Sequence, residues 1–307
     1  MKARFGWTLA SAMLAGSFGS AHAADMAVKA PPIAAPVWNW TGFYVGFNVG
    51  GAWTGNNDVN SVGTPIFANP LVPGTTAFVL ANSVTGVTTN IPLGRGSGFI
   101  GGAQAGYDWQ FKSGVVGIEA DIQGLSARQS SALVLTTVPL TLAPGNSVNS
   151  SLSATNNVDW LGTVRGRLGL LAKPSLLLYA TGGLAYGDVR SSTTINQALV
   201  GPSTATVNAP YGSVASNSQT RAGWAAGVGG EWKFAPKWSA KIEYLHYDLG
   251  TVSYGGTLSN VVVPPGGVVP TGGVFYTLGA TSSTRFSGDI VRVGVNYSFT
   301  GPVVAKY

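Results

Sequence analysis

Charged residues spaced two apart are the chemically distinctive feature of this chain. Glu119 and Asp121, Arg165 and Arg167, and Lys241 and Glu243 form three such pairs, with Glu231 and Arg292 as single members. In extended chain, residues two apart share a face, so each pair presents two charges on one side of a strand. Four acids and four bases on one kind of face can do two things: close into a salt-bridge network or line a narrow ion path. A second constellation is His246-Tyr247-Asp248, where imidazole and carboxylate also share a face, as a base and its orienter do. No activated nucleophile accompanies it, and a triad is defined by geometry rather than spacing, so no catalytic residues are expected. There is no cysteine, which removes thiol nucleophiles and thiolate metal sites. No cofactor is expected; a haem site would have to use His246 or a loop tyrosine such as Tyr211, Tyr254 or Tyr276.

The elements that position these residues are strands. Only 9% of the 307 residues are charged, 44 are glycine, and 45% are hydrophobic, whereas about a quarter of a soluble domain is charged. Mean hydropathy is +0.24. Yet beyond the first 20 or so residues no apolar run approaches the ~20 residues of a membrane-spanning helix. Alternation with period two recurs instead. In 40–53, Phe43, Val45, Phe47, Val49 and Trp53 fall on one face, and Gly42, Tyr44, Gly46, Asn48 and Gly50 on the other. The same pattern predicts strands near 98–111, 115–127, 158–172, 176–189, 219–234, 238–252 and 284–299. Three-residue turns at 112–114, 173–175 and 235–237 alternate with long stretches at 54–97, 128–157, 190–218 and 253–283. Short turns on one side and long loops on the other, with an even strand count, describe an outer-membrane barrel. The fold class is all-β: an eight-stranded antiparallel transmembrane up-and-down barrel over residues 40–299. Residues 257–278 and the Val-rich 132–142 could add hairpins above the membrane.

Strand parity assigns the charges. Glu119, Asp121, Arg165, Arg167, Glu231, Lys241, Glu243 and Arg292 point inward. Eight strands enclose a space that side chains just fill, and burying single charges there is costly, so a closed ionic plug is expected, with gated ion conduction as the sharper possibility. Lys112, Lys173, Lys233 and Lys237 fall in or beside periplasmic turns. Arg95, Arg128, Arg190 and Arg285 point outward at extracellular strand ends, and Arg221 inward. Guanidinium binds phosphate as a bidentate fork, so the four outward arginines form a candidate lipopolysaccharide-gripping rim, with Asp188, Asp248 and Asp289 tuning it or bridging divalent cations. Trp109, Trp232 and Trp238 at one end and Trp53, Trp160 and Trp224 at the other turn toward lipid, as two aromatic girdles require.

Residues 1–23 read as a secretory signal: Lys2 and Arg4, an apolar stretch from Trp7 to Phe18, and Ala21-His22-Ala23 before Ala24. Pro31, Pro32 and Pro36 mark 24–39 as a periplasmic tail, and 300–307 form a C-terminal periplasmic extension. The remaining cations form no cluster, so nucleic acid is not an expected partner.

Three stretches carry a family likeness: Ala24-Asp25 with its Pro-rich tail leading to Trp40-Thr41-Gly42-Phe43-Tyr44-Val45-Gly46, then 238–250 (WSAKIEYLHYDLG), then 289–307 (DIVRVGVNYSFTGPVVAKY). Together they resemble the small opacity-type outer-membrane β-barrel family of alphaproteobacteria, often labelled porin family. That resemblance implies an eight-stranded barrel in the outer membrane and an envelope-structural or surface-antigen role; the family also includes haemin-binding proteins. The last strand resembles the signal read by the barrel-assembly machinery, with Arg292, Gly294, Tyr297 and Phe299, although eight residues follow Phe299. The expectation is a monomeric, non-enzymatic envelope protein that contacts outer-membrane lipid and lipopolysaccharide and presents surface loops. A small-solute porin, or a haem- or host-surface-binding protein, is the alternative.

Overall fold

A computed structural model describes residues 38–68, 75–142, 144–201, 211–260 and 276–299. The predicted signal sequence with Ala21, Ala23 and Ala24, most of the tail, and the extension 300–307 lie outside the described residues. Alternating chain forms the strands β1 (Gly42–Thr54), β4 (Ser97–Phe111), β5 (Gly114–Leu125), β8 (Ser147–Lys173), β9 (Leu176–Val200), β10 (Tyr211–Ala235), β11 (Trp238–Asn260) and β12 (Tyr276–Ser298). They pair antiparallel in the order β1-β4-β5-β8-β9-β10-β11-β12, and β12 pairs back onto β1, from Tyr44 opposite Ser298 to Thr54 opposite Gly288. The ring is closed, which leaves the lower barrel without sheet edges. Tight turns at Lys112, Pro174 and Pro236 join the strands at one end.

The outward face of the lower ring is apolar. Phe43, Phe47, Val49, Ile118, Ile122, Leu168, Val228 and Ile242 are exposed there, in an antiparallel wall whose other face is polar. Trp53 and Trp224 stand exposed at the upper edge of this band, and Trp109, Trp232 and Trp238 at the lower edge. Among the described residues no helix is long and apolar enough to cross a membrane; the crossing is made by strands.

The predicted strands are shorter than the real ones. β8 to β12 run 23 to 27 residues, more than twice the ~9–11 that span a bilayer. The excess stands above the membrane, where the long connections add β2 (Val59–Ala68), β3 (Thr89–Ile91), β6 (Arg128–Ser130) and β7 (Val134–Pro139). β7 and β6 pair with β8, and β2 pairs with β12. The extra strand expected within 132–142 is therefore present as β7. Residues 261–275, at the centre of the other expected hairpin, lie outside the described residues.

Above the rim the barrel opens into two facing sheets, because β10 and β11 pair only from Trp224 and Asp248 downward. The register of β11 against β12 shifts between Asp248 and Gly250, and Gly250 has φ of +78°, a conformation that disfavours a side chain. One sheet is β7-β8-β9-β10, the other β11-β12-β2-β3. Val148, Leu152, Ile195, Leu199, Leu258, Leu278 and Tyr276 fill the space between.

The first long connection also contains a helix that the alternation did not predict, α1 (Thr75–Val87), which packs on β2, β7, β8 and β12. Val79, Ser83 and Val87, four apart, make its buried stripe together with Leu80. The Ser83 hydroxyl meets the Tyr276 hydroxyl at 2.8 Å.

Candidate functional site

The lower lumen brings all eight predicted charges together. Arg165 on β8 is 1% exposed and Arg292 on β12 is fully buried. One Arg165 nitrogen, Nη2, lies 2.8 Å from both Glu119 and Asp121, while Nη1 lies 3.0 Å from Glu243. Arg292 donates through Nε to Glu243 (2.7 Å), through Nη1 to Gln123 (3.0 Å) and through Nη2 to Asp121 (2.8 Å). Lys241 Nζ donates to both Glu119 oxygens at 2.8 and 2.9 Å, and the Tyr44 hydroxyl donates to Glu119 at 2.8 Å. Each carboxylate and each arginine of this tier therefore has more than one partner, and Lys241 is held by both oxygens of Glu119, which is what makes burial of charge tolerable.

A second tier lies toward the periplasm. Arg167 pairs with Glu231 and with Asp108 (3.3 Å), and its guanidinium stacks 3.8 Å from the Tyr179 ring centroid. Glu231 also accepts from Ser239 and from Asn296. Gln104 and Asn48 continue the chain from Asn296. Asp108 was absent from the predicted set, although the parity of β4 that puts Gln104 inside puts Asp108 there too.

At the periplasmic mouth, Lys233 is buried within the barrel rather than exposed at the turn. Its Nζ donates to the Asn39 carbonyl and lies 4.7 Å from the Trp40 ring. Trp40 is 4% exposed, donating from its backbone N–H to Gln110 and from its indole to the Pro174 carbonyl. Sequence reasoning placed Trp40 at the start of the barrel wall; it folds into the mouth, packed on Val115, Leu177 and Tyr179. With Asp108 and Lys233 included, five acids and five bases occupy the interior, and charge still balances. Above the ionic tiers lies an apolar layer that includes Leu161, Leu245, Leu249, Phe286 and Ile290. A polar layer follows, in which Asn156 donates to Thr284 and Asn57 donates to Gln129.

The extracellular rim divides its arginines. Arg190 pairs with Asp159 (2.9 Å) and Asp188 (3.3 Å), and Arg285 grips Asp248 through two nitrogens. Arg95 and Arg128 are exposed and have no ion pair among the described residues. Arg221 reaches across the β10–β11 parting to the Thr251 carbonyl at 2.8 Å. His246 is not oriented by Asp248 but by Asp289 on the neighbouring strand, at 2.8 Å, and the Tyr244 hydroxyl donates to the same oxygen. Of the tyrosines considered for haem, Tyr254 and Tyr276 are buried in the upper core and bonded to Thr193 and Ser83. Tyr211 donates to Gln197. At the other end of the last strand, Tyr297 stacks edge-on against Trp238 and Phe299, and the Phe299 N–H donates to the Phe43 carbonyl.

A closed ring of eight antiparallel strands with an apolar exterior and an ionic interior agrees with a match of residues 11–299 to the model of the outer membrane protein beta-barrel domain. The chain belongs to that family. A 31 kDa outer-membrane immunogenic protein of Brucella melitensis is 34% identical over 285 residues, covering 91% of this chain and 94% of the relative. A 22 kDa outer membrane protein of Rhizobium leguminosarum is 29% identical over 157 residues, about half of each chain (51% and 56%). The crystal structure of Neisserial surface protein A is similar at 13% identity and a TM-score of 0.28, covering 84% of this chain and 98% of that one. The β-barrel membership and the outer-membrane location of this protein follow from the family and its relatives, and the strand pairing gives the eight-stranded ring directly.

Proposed function

We propose that this protein is a sealed wall element of the outer membrane, whose barrel anchors a rigid extracellular β-structure as a surface antigen. The observation that carries this is the stack of fillings along the barrel axis. Trp40 and Lys233 occupy the periplasmic mouth, two ion-pair tiers the middle, and Leu161, Leu245 and Ile290 the layer above them. A solute path would have to part multiply bonded ion pairs at a cost of several kcal/mol per ion. The name of the Brucella relative, an immunogenic outer-membrane protein, favours the display role.

The rim joins the wall to its leaflet. Arg190 and Arg285 brace the barrel through their own carboxylates, whereas Arg95 and Arg128 keep their forks open for lipopolysaccharide phosphate. The test is a deletion strain: loss of the protein should raise sensitivity to detergent and vesicle shedding while uptake of small neutral solutes stays constant. Reduced solute uptake with unchanged detergent resistance would overturn the proposal in favour of a pore.

A further inference from the structure

Directly above the rim, the outward face of β8, β9 and β10 is an ordered array of hydroxyl and amide groups. Register places Arg128, Asn157 and Arg190 in one cross-strand row. The next outward row up is Ser130, Thr155, Ser192 and Ser216, four hydroxyls abreast, and above it Ser153 pairs with Thr194. Neighbouring strands stand ~4.8 Å apart, and same-face residues along a strand ~6.7 Å apart.

Two observations separate this face from an ordinary solvated sheet. First, 147–157, 191–200 and 211–220 contain no Asp, Glu, Lys or Arg, against the quarter to a third of charged residues typical of exposed surface. Second, none of Thr155, Ser192, Thr194 and Ser216 has a side-chain partner among the described residues. On the inward side at the same level, hydrogen bonding is satisfied internally: Ser191 donates to Asn156 (2.7 Å), Thr193 meets Tyr254 (2.7 Å) and Gln197 donates to Ser150 (2.8 Å). The outward groups keep their capacity free.

We infer that this face holds the saccharide chain of an outer-leaflet glycolipid. The inference rests on the reading of the rim as a phosphate grip and extends it upward. A neutral array of donors and acceptors matches a neutral polyhydroxyl chain. It lacks the aromatic centre of a protein interface, its exposed large apolar residues being only Val214 and Val200, with Leu135 beside it on β7, and it lacks the cations a nucleic acid requires. Position selects the glycolipid over a soluble glycan. The same strands run unbroken from the lipid-facing band through the row of Arg128 and Arg190, so sugars rising from a headgroup seated at that row lie along this face.

The test uses the full protein refolded in detergent, titrated with lipopolysaccharide bearing its saccharide chain and, separately, with lipid A alone. The wild type should hold the saccharide-bearing form at least ~5-fold more tightly. The combined variant Thr155→Val, Ser192→Ala, Thr194→Val and Ser216→Ala retains strand-forming residues and every charge, and a heat-dependent gel shift checks that it is folded. It should lose that ratio while its affinity for lipid A stays the same. Equal wild-type affinity for the two lipids, or an unchanged ratio in the variant, would overturn the inference. Binding of the lipid-free saccharide as tightly as the whole glycolipid would overturn the assignment to a glycolipid. Failure of the rim reading is distinct: lipid A would then bind equally to wild type and to a chain lacking Arg95 and Arg128.

Discussion

Arg292 and Asp121 meet at 2.8 Å across the barrel interior although 171 residues separate them and their strands, β12 and β5, are not neighbours in the sheet. Asp121 shares the same oxygen with Arg165. The pair therefore ties together walls that lie three strands apart around the ring of eight, and its loss is felt on both sides. Arg292→Met should destabilise the folded barrel by about 3–5 kcal/mol, because Asp121 and Glu243 are then left to share Arg165 and the buried interior carries one uncompensated negative charge. The midpoint of urea unfolding in detergent micelles, followed by the loss of the fast-migrating folded band, measures this.

Trp40 shields Lys233 from the periplasm. Trp40→Ala should cost about 3 kcal/mol, the usual range for emptying a buried tryptophan site. It should also make Lys233 reactive toward a membrane-impermeant amine reagent, read by peptide mass spectrometry of labelled protein. Unchanged protection of Lys233 would show that the tryptophan does not close the mouth.

Two glycines at the parting of β10 and β11 separate backbone strain from steric clash. A methyl group on Gly250 would meet only the far end of Arg221 at 3.8 Å, but φ is +78°. Gly250→Ala should therefore cost about 1–2 kcal/mol. A methyl on Gly223 would stand 1.9 Å from the Asp248 carbonyl oxygen, so Gly223→Ala should be the more damaging. Thermal unfolding by gel shift ranks the two.

The rim predicts an unequal response among its arginines. Arg95→Gln with Arg128→Gln should lower lipopolysaccharide co-purification at least ~3-fold with little effect on stability. Arg190→Gln should instead lower the unfolding midpoint slightly, as expected for an exposed pair, Arg285→Gln should lower it more because its partner Asp248 is buried, and both should leave co-purification nearly intact. Phosphate assay of purified protein distinguishes them.

The last strand carries the fifth prediction. We propose that the assembly machinery reads the segment Arg292, Gly294, Tyr297 and Phe299 internally rather than at the chain end. Deleting 300–307 should preserve insertion, and Phe299→Ala should impair it, with fractionation of outer membrane against periplasm as the readout.

Much of this was legible because membrane barrels invert the usual rule. Charges on the small-residue face of a strand can only point inward, so Glu119, Arg165, Glu243 and Arg292 could be assigned from parity. The same parity also points Asp108 and Lys233 inward; Lys233 lies near a strand end, where it reads as a turn residue, and the inward fold of Trp40 has no period to betray it. Strand ends were misjudged for a different reason. Alternation of Ser, Thr and Asn with Val, Leu and Ile in 147–157 and 191–200 lacks a lipid-facing hydrophobic signal, yet it forms wall as readily as the membrane band does. The helix α1 was hidden because its stripe of Val79, Ser83 and Val87 is short, carries no charge at either end, and is stabilised by the sheets around it rather than by its own propensity. Asp188, two residues from Arg190 on the same face, is a partner legible in the sequence, whereas Asp159 reaches Arg190 only through strand register and Asp248 reaches Arg285 only through the shift at Gly250.

Single-channel recording of the refolded wild type in planar bilayers tests the sealed-wall account most directly. Inserted protein, verified by its heat-dependent gel shift, should give no stable conductance steps at moderate voltage. Reproducible openings of uniform size would contradict it, by requiring a continuous aqueous path past Trp40, the Arg165 and Arg292 ion pairs, and the Leu161–Leu245–Ile290 layer.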